Sequence, residues 1–579
     1  MDNKNIARIL DETADLMEIH GDDSFRIRSY QRAAEALGSL PQQVADLMAD
    51  PKQVLAIPGI GKGMLAHLQE ILKTGRLKLH AELLAKYSPA ILDLLKIQGL
   101  GPKTIALIWD AYGVCDVEGV EKLARAGQLR TLPRMGEKQE QKILKAIEDY
   151  RRISGRFLIQ EADEVARQIQ AHLEGVPGVE STTPAGSLRR GRETVGDLDM
   201  LVTLKAKTSA KQREAVIARV LALPGVARVL AQGENKVSFQ LGSGMQVDVR
   251  LLPPESFGAA LLYFTGSKSH NVELRQRALK MGYTLNEYGL SRLEGGKRVA
   301  GKSEEEIYKR LKLALIPPEL REATGEIEAA EEDKLPELVT LSDIRGDVHM
   351  HTVATDGRNS IEEMAEAAQA RGYQYMAITD HSKNLAMANG LDDKRAEAHV
   401  RKIRAVGKKM EGIGVLAGIE VDILADGALD LSDGVLEQMD VVIASVHSHF
   451  QQEPERMTDR LLRALENPNT DILGHPTGRL LQRRDGYRFD LEAVMRSAAA
   501  KGVALELNAA PERLDLCDVH LRLAKQRGVK VVMNTDAHHT SHLEKMKYGL
   551  LQARRAWLTR KDVLNTLPQE RFLKALRST

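Results

Sequence analysis

The chain has 579 residues, which at roughly 150 residues per domain predicts about three to five domains. Hydrophobic residues at 43% and charged residues at 28% make a globular balance, and a net charge of +1 excludes a strong overall field while leaving room for a local basic face. Only two cysteines, Cys115 and Cys517, lie far apart, which excludes a disulfide framework and a cysteine-built zinc site. The start, MDNKNIARILDETADLMEIHGDD, has no apolar signal core and no run approaches ~20 apolar residues, so the expected location is the cytoplasm, away from any membrane.

Residues 1–150 read as helices punctuated by glycine turns, without a convincing strand. Three loops, IPGIGKG (57–63), IQGLGPK (97–103) and LPRMGEK (132–138), share a spacing: apolar, turn, small residue, apolar, Gly, then a basic residue opening a helix. Gly59 and Gly61 before Lys62, and Gly99 and Gly101 before Lys103, let the main chain approach an anion closely. The free N–H groups of the following helix then point at it. Nothing in such loops reads bases, so the expected partner is a phosphodiester backbone held without sequence preference.

From about residue 158 helix and strand alternate. DLDMLVTL (197–204), KVSFQL (236–241) and MQVDVRLL (245–252) alternate like half-buried strands, and GSG (242–244) reads as a hairpin turn. In a strand, residues i and i+2 share a face, so Asp197 and Asp199 present adjacent carboxylates while Leu198 points into the core. Asp248 on a neighbouring strand can complete a cluster of three, which makes sense when divalent cations occupy it. Oxygen-only ligands favour Mg²⁺, and a pair of such ions drives in-line phosphoryl transfer. Gly186, Ser187, Arg189 and Arg190 lie just upstream in AGSLRRGRETVGDLDMLV (185–202) and supply amide, hydroxyl and guanidinium donors for a polyphosphate. Residues 258–318 return to helices and short loops, ending at Pro317–Pro318. The acidic segment 319–343 shows no core-forming period and reads as a linker.

Beyond Asp343 short apolar runs alternate with helical stretches, and roughly seven such runs predict parallel strands in a (βα) barrel. Of the 16 histidines, 11 fall at or after His349. His349, His351 and Asp356 lie in DVHMHTVATDG. Further strand ends bring Asp380 and His381, Glu420, His447 and His449, His475, and Asp536 and His538. Strand C-termini of such a barrel open on one rim, so ligands far apart in sequence converge there. Their number exceeds what one ion needs and implies two or three metals. Nitrogen-rich ligation favours Zn²⁺, Mn²⁺ or Fe²⁺ over Mg²⁺, and such a cluster polarises a phosphoester.

These segments resemble known families. The glycine loops look like helix-hairpin-helix elements, and DSFRIRSYQRAAEAL (23–37) resembles the amino-terminal small domain of family X DNA polymerases. The resemblance places Arg26 and Tyr30 in a pocket for a downstream 5′-phosphate. Where the family's lyase members carry a Schiff-base lysine this chain has His67, which cannot form the imine, so lyase activity is not carried over. The three aspartates and YFTGSKSHNVELR (263–275) extend the resemblance over about 1–318. It implies that Asp197, Asp199 and Asp248 hold two ions and that Ser187, Arg190 and Arg156 neutralise phosphates. Tyr263 and Phe264 would line the deoxyribose site and Gly266 would admit the sugar. Asn271 would meet the incoming base's minor-groove edge, and Arg275 the template.

Residues 344–573 resemble the PHP (polymerase and histidinol phosphatase) phosphoesterases. That resemblance implies nine ligands: His349, His351, Asp356, His381, Glu420, His447, His475, Asp536 and His538. His449, His539 and His542 lie off the pattern, while Arg479 and Arg484 are candidates for holding a substrate phosphate.

The expected fold is multidomain: α-helical helix-hairpin-helix N-terminal domains, an α+β nucleotidyltransferase palm with a helical thumb, and a C-terminal (βα)7-type distorted TIM-like barrel. The boundaries are a small DNA-binding domain 1–85, a fingers-type domain 86–155, the palm 156–255, a thumb-type nucleotide-selection subdomain 256–318, the linker 319–343 and the PHP domain 344–579. Family X polymerases of bacteria and archaea combine these parts. The combination implies a gap-filling, template-directed DNA polymerase for repair joined to a metal-dependent 3′→5′ exonuclease, with 3′-phosphates and abasic sites as further substrates. It also implies Mg²⁺ or Mn²⁺ at the acidic site, two or three Mn²⁺ or Zn²⁺ at the histidine site, dNTPs, gapped or nicked DNA with a 5′-phosphate, and a monomer. Two rival readings are a phosphatase, of small molecules or DNA ends, tethered by a catalytically minor N-terminal half, and a non-catalytic DNA-end scaffold.

Overall fold

The computed structural model describes residues 3–576 except 40–43, 49, 58, 89, 98, 134 and 154. The chain forms two compact units, Met1–Gly155 and Arg156–Thr579. Among the described residues no helix is long and apolar enough to cross a membrane.

The first unit is helical throughout its described residues. Its principal helices are α1 (Asn3–His20), α2 (Ser24–Ser39), α3 (Lys62–Thr74), α4 (Pro102–Tyr112) and α5 (Glu137–Ile153). Ile6, Leu10, Ala14 and Met17 recur along one face of α1 and are buried in a core shared with Leu37, Leu68, Ile105 and Ile143. Gly59 and Gly99 adopt left-handed backbone (φ 89° and 93°), which a side chain would resist. Two residues on, Gly61 and Gly101 cap α3 and α4.

The second unit opens with the helix α6 (Ile159–Leu173) and a five-stranded sheet of β1 (Val179–Pro184), β2 (Asp197–Leu204), β3 (Val226–Gln232), β4 (Lys236–Leu241) and β5 (Gln246–Leu252), in the order β1-β2-β5-β4-β3. The central pair β2–β5 is parallel and the other pairings are antiparallel. Both strands that carry no readable alternation, β1 and β3, lie at the edges, where β3 is almost wholly exposed. An edge strand with both faces wet carries no two-residue apolar period.

Next come α7 (Phe257–Thr265) and α8 (Lys268–Lys280). A small antiparallel sheet follows, β6 (Tyr283–Asn286), β7 (Gly289–Arg292) and β8 (Arg298–Ala300), and then α9 (Glu304–Arg310). These three strands were not expected within the helical thumb; each has four residues or fewer, too short to show a period.

The segment 319–343 is not a free linker. It forms α10 (Glu326–Glu331) and buries Leu320, Arg321, Glu326, Leu338 and Val339. Its charges are buried in pairs. Arg321 Nη1 donates to Glu304 at 2.6 Å, and Glu326 Oε1 lies 2.7 Å from His270 Nδ1, whose Nε2 meets the Tyr308 hydroxyl at 2.9 Å. Acidic composition argues for solvation only when the charges lack buried partners.

The remainder is a parallel sheet of seven strands in sequence order, β9 (Gly346–Asp347), β10 (Tyr375–Ile378), β11 (Gly414–Asp422), β12 (Val441–Ser445), β13 (Ile472–Leu473), β14 (Ala504–Asn508) and β15 (Val531–Asn534). A parallel bridge between Met350 and Ala537 draws first and last strands together, so the barrel is nearly closed. Alternate strand residues, among them Val441 and Ile443, point inward and are plugged by Phe572 and Leu576, while Val442 and Ala444 face the outer core. The barrel also completes the palm. Leu514 and Tyr548, the latter on α11 (Met546–Arg555), are buried in the palm core with Leu198 and Met200.

Candidate active sites

The first site sits on the central strand pair of the palm. The register sets Asp199 directly opposite Asp248, and Asp197 lies two residues before Asp199 on the same face. Burial pushes Asp199 up to about 7, and the charges of Asp197 and Asp248 push it the same way. Asp248 behaves oppositely: burial would raise it, but Lys236, whose Nζ lies 2.7 Å from Oδ2, holds it below the usual carboxylate range. A carboxylate forced toward neutrality by burial and by two like charges is relieved by a divalent cation, so the donor set fits one.

The loop above this cluster is shaped by glycine. Gly186 has φ 60°, and a Cβ there would lie 2.6 Å from Asp199 Oδ2. The single helical turn Gly186–Arg189 therefore presses against the carboxylates. Ser187 lies in that turn. Arg156 hydrogen-bonds the side chain and carbonyl of Thr194 and feels the charge of Asp197. Arg190 donates to the Thr265 carbonyl and, through Nε, to Glu322 at 3.1 Å. Arg189 instead forms a forked pair with Glu304, at 2.9 and 2.7 Å.

Tyr263 and Phe264 meet edge to face at 5.0 Å, and the Arg250 guanidinium stacks 4.0 Å over Phe264. Gly266, at φ 69°, borders Arg190, since a Cβ there would lie 3.2 Å from its Nη1. Asn271 Nδ2 donates to the Tyr263 carbonyl, and Arg275 Nε to the Asn271 carbonyl. A connected series of contacts thus runs from the acidic cluster through Gly186, Arg190 and Gly266 to Tyr263, Phe264, Asn271 and Arg275. Lys236, Arg250 and Glu322 were missed. Lys236 begins the strand beside Asp248 and was readable by register, whereas Glu322 lay in the segment dismissed as a linker.

The second site sits where the barrel strands end. His349 and His351 follow β9, His381 follows β10, Glu420 lies near the end of β11, His447 and His475 follow β12 and β13, and Asp536 and His538 follow β15. Three groups bring ligand atoms within 4.8 Å of one another: His351, Asp356, His381 and His538; His349, His351 and Asp536; and His381, Glu420 and His447. His475 Nε2 lies 2.9 Å from Glu420 Oε1. All nine expected ligands therefore converge. His349 Nε2, His351 Nδ1, His381 Nδ1 and Glu420 Oε2 are buried and have no hydrogen-bond partner among the described residues. Buried ligand atoms that face one another without hydrogen bonds are the arrangement divalent cations satisfy.

Supporting carboxylates fix the rings. His349 Nδ1 lies 2.6 Å from Glu506 and His447 Nδ1 2.5 Å from Asp422, so each presents Nε2 to the pocket. Burial would lower His349, but Glu506, Glu420 and Asp536 hold it well above the usual imidazole range. Glu506 and Asp422 were missed, although a glutamate inside the apolar run ALELN and an aspartate two residues after Glu420 were signals. Asp380 is not in these groups; it accepts from Thr352 and Thr355 and pairs with His399 at 2.8 Å. His539 is half-buried beside Ser541, and His542 Nδ1 accepts from the His538 amide.

The two arginines expected at a phosphate are otherwise engaged. Arg479 reaches the palm, donating to Glu193 at 2.6 Å and to the carbonyls of Arg513 and Leu514. Arg484 stacks on Phe450 and donates to the Gly478 carbonyl. Arg513 lies beside the cluster, 3.6 Å from Asp536.

In the first unit Tyr30 is buried, with its hydroxyl 2.9 Å from His67 Nε2, and Arg26 is exposed, paired with Asp22. Gly61 and Gly101 have open space where a side chain would stand, and Lys62 and Lys103 lie in the first turns behind them. The third loop includes Arg134, which falls outside the described residues.

Family models match most of the chain in series: a helix-hairpin-helix domain (1–77), a SAM-like helix-hairpin-helix tandem (91–149), a DNA polymerase beta palm (156–233), a DNA polymerase beta thumb (260–322) and a PHP domain (347–510). The chain is 40% identical over 567 residues to the DNA polymerase/3′-5′ exonuclease PolX of Bacillus subtilis, covering 98% of this chain and 97% of that one. A probable phosphatase of Thermoanaerobacter sp. is 30% identical over 231 residues, 38% of this chain and 89% of its own. A solved ternary P/T complex of Leishmania infantum polymerase beta covers 40% of this chain and 98% of its own at 25% identity, with a TM-score of 0.28. From its helix-hairpin-helix elements to its barrel, the chain belongs to the PolX family.

Proposed function

We propose that this protein is a template-directed, gap-filling DNA polymerase of repair with a 3′→5′ exonuclease in its PHP barrel. The observation that carries the reading is the presence, in one unit, of Asp199 set opposite Asp248 beneath a glycine-built phosphate loop and of nine converging His, Asp and Glu ligands.

At the palm, Asp197, Asp199 and Asp248 would hold two Mg²⁺ or Mn²⁺ ions; in the barrel, the nine ligands would hold two or three Mn²⁺ or Zn²⁺ ions. When bound, such ions stabilise the charge that develops on a transferring or departing phosphoryl group. Ser187, Arg190 and Arg156 meet the triphosphate. Tyr263, Phe264 and Gly266 shape the sugar pocket, and Asn271 and Arg275 meet the base edge and the template. Lys236 keeps Asp248 ionised, the form in which a carboxylate ligates a cation. In the barrel, Glu506 and Asp422 hold His349 and His447 in the tautomer that ligates, and Arg513 faces the phosphate to be cleaved. The helical unit grips the backbone of gapped or nicked DNA through Gly59, Gly61, Lys62, Gly99, Gly101 and Lys103, with Arg26 and Tyr30 at the 5′-phosphate. The chain acts as a monomer in the cytoplasm.

A gapped duplex bearing a 5′-phosphate, incubated with Mn²⁺ with and without dNTPs, tests the reading. Extension vanishes with Asp248→Ala while 3′ shortening persists, and His349→Ala gives the reverse. Phosphate release from small esters that survives Asp248→Ala, without primer extension in the wild type, would favour a tethered phosphatase.

A further inference from the structure

The phosphate loop of the palm rests on a helix of the phosphoesterase barrel. Gly191, at φ 66°, packs so closely on α11 that a Cβ there would lie 2.8 Å from Leu551 Cβ, and Gln552 Nε2 donates to the Gly191 carbonyl at 2.7 Å. Arg555, at the end of α11, donates through Nη1 to the Arg190 carbonyl at 2.9 Å and to Glu322 Oε1 at 2.8 Å. Its other edge is held by Asp518, at 2.8 Å from Nε and 2.7 Å from Nη2. Glu322 Oε1 in turn accepts from Arg190 Nε. One carboxylate oxygen thus serves two guanidiniums, one from each catalytic half of the unit.

Arg190 is pinned at two corners, Nε by Glu322 and Nη1 by the Thr265 carbonyl, which leaves Nη2 without a hydrogen-bond partner among the described residues. Its side chain keeps only 15% of its exposure, so few rotamers remain. A guanidinium fixed at Nε and Nη1 with Nη2 free is prepared to donate to an anion from that corner. Because Glu322 is shared with Arg555, it orients Arg190 without neutralising it fully.

We propose that Glu322, clamped by Arg555 from the barrel, is a positioning residue for nucleotide binding, holding the Arg190 guanidinium where it meets the triphosphate. The proposal rests on the reading of Arg190 as a phosphate ligand. It makes the barrel a structural part of the polymerase site, independently of its own chemistry.

The test is steady-state gap filling by the full-length chain, with KM for dNTP and kcat measured separately for Glu322→Gln, Arg190→Ala and the double variant. Exonuclease rate and melting temperature are recorded alongside. Losing one charge-assisted hydrogen bond corresponds to about a tenfold change. Glu322→Gln is therefore expected to raise KM for dNTP about tenfold, with kcat and exonuclease rate near wild type at a temperature well below a melting transition that is itself lowered by the lost ion pairs. Arg190→Ala raises KM further, and adding Glu322→Gln to it changes nothing more. Arg555→Met gives the same direction as Glu322→Gln.

Unchanged KM for Glu322→Gln beside a raised KM for Arg190→Ala overturns the positioning role and leaves the Arg190 reading intact. Unchanged KM for Arg190→Ala overturns that reading and the proposal with it. A fall in KM for Glu322→Gln would make the carboxylate a competitor of the nucleotide, and a parallel fall of both activities would make it a fold support; either overturns the proposal. Should Glu322→Gln fail to fold, Glu322→Asp, which keeps the charge and shortens the reach, is subject to the same outcomes.

Discussion

Glu304 joins the turn Gly186–Arg189 to the segment 319–343, and its removal has a calculable effect. Burial alone would raise its pKa, but the forked bond from Arg189 and the bond and charge of Arg321 hold it down at about 2, against an ordinary value of 4.5. A depression of that size corresponds to about 3 kcal/mol. The unfolded chain binds the additional proton, so this stabilisation is complete above pH 4.5 and disappears as pH falls toward 2. Independently, breaking a buried ion pair on one side costs about 3–5 kcal/mol, because the partner charge is stranded. Here the stranded partner is Arg321, whose side chain is wholly buried. Glu304→Gln should therefore destabilise the second unit by about 3 kcal/mol at pH 7, by roughly half as much at pH 3 and by little only near pH 2. Trp557 packs against the same core and can report it by fluorescence during urea unfolding in a Trp109→Phe background. A loss below about 1 kcal/mol at pH 7, the level of a surface pair, or a loss that does not shrink with acid, would refute this account.

Four further outcomes can be checked. Asp199→Asn should lower gap-filling kcat by about three orders of magnitude and leave 3′ shortening unaffected, measured on one labelled primer. Stripping divalent ions with a chelator should abolish 3′ shortening and lower the melting temperature, both restored by Mn²⁺; His351→Ala, which removes a residue common to two ligand groups, should weaken that restoration. Leu514→Ala should cost about 2–5 kcal/mol by opening a cavity in the palm core, seen in denaturant unfolding. Gly258→Ala should cost about 1–3 kcal/mol or more, because its Cβ would lie 2.2 Å from the Ser303 backbone, which cannot yield as a side chain would.

What the sequence disclosed follows from physical signals. Asp197, Asp199 and Asp248 were legible because a two-residue period on a strand settles which side chains share a face, and the parallel register then set Asp199 opposite Asp248. The barrel was legible because fully buried parallel strands are apolar runs whose ends carry histidines and carboxylates. The thumb strands β6 to β8 were not, being too short for any period. Residues 319–343 were misjudged because Arg321 and Glu326 look solvated in sequence and are buried only through partners far along the chain. Glu506 and Asp422 are not legible as ligands from spacing, because they orient the rings of His349 and His447 from behind.

Leu514 and Tyr548 are contributed by the barrel in sequence and by the palm in packing. Cutting the gene after residue 343 would leave the upstream enzyme with an oily wound where these side chains had been, next to the turn at Gly191. The fusion is therefore not reversible by simple deletion. A descendant that no longer needs to trim DNA ends has one economical path open to it: its histidines erode while the barrel that bore them stays on as architecture.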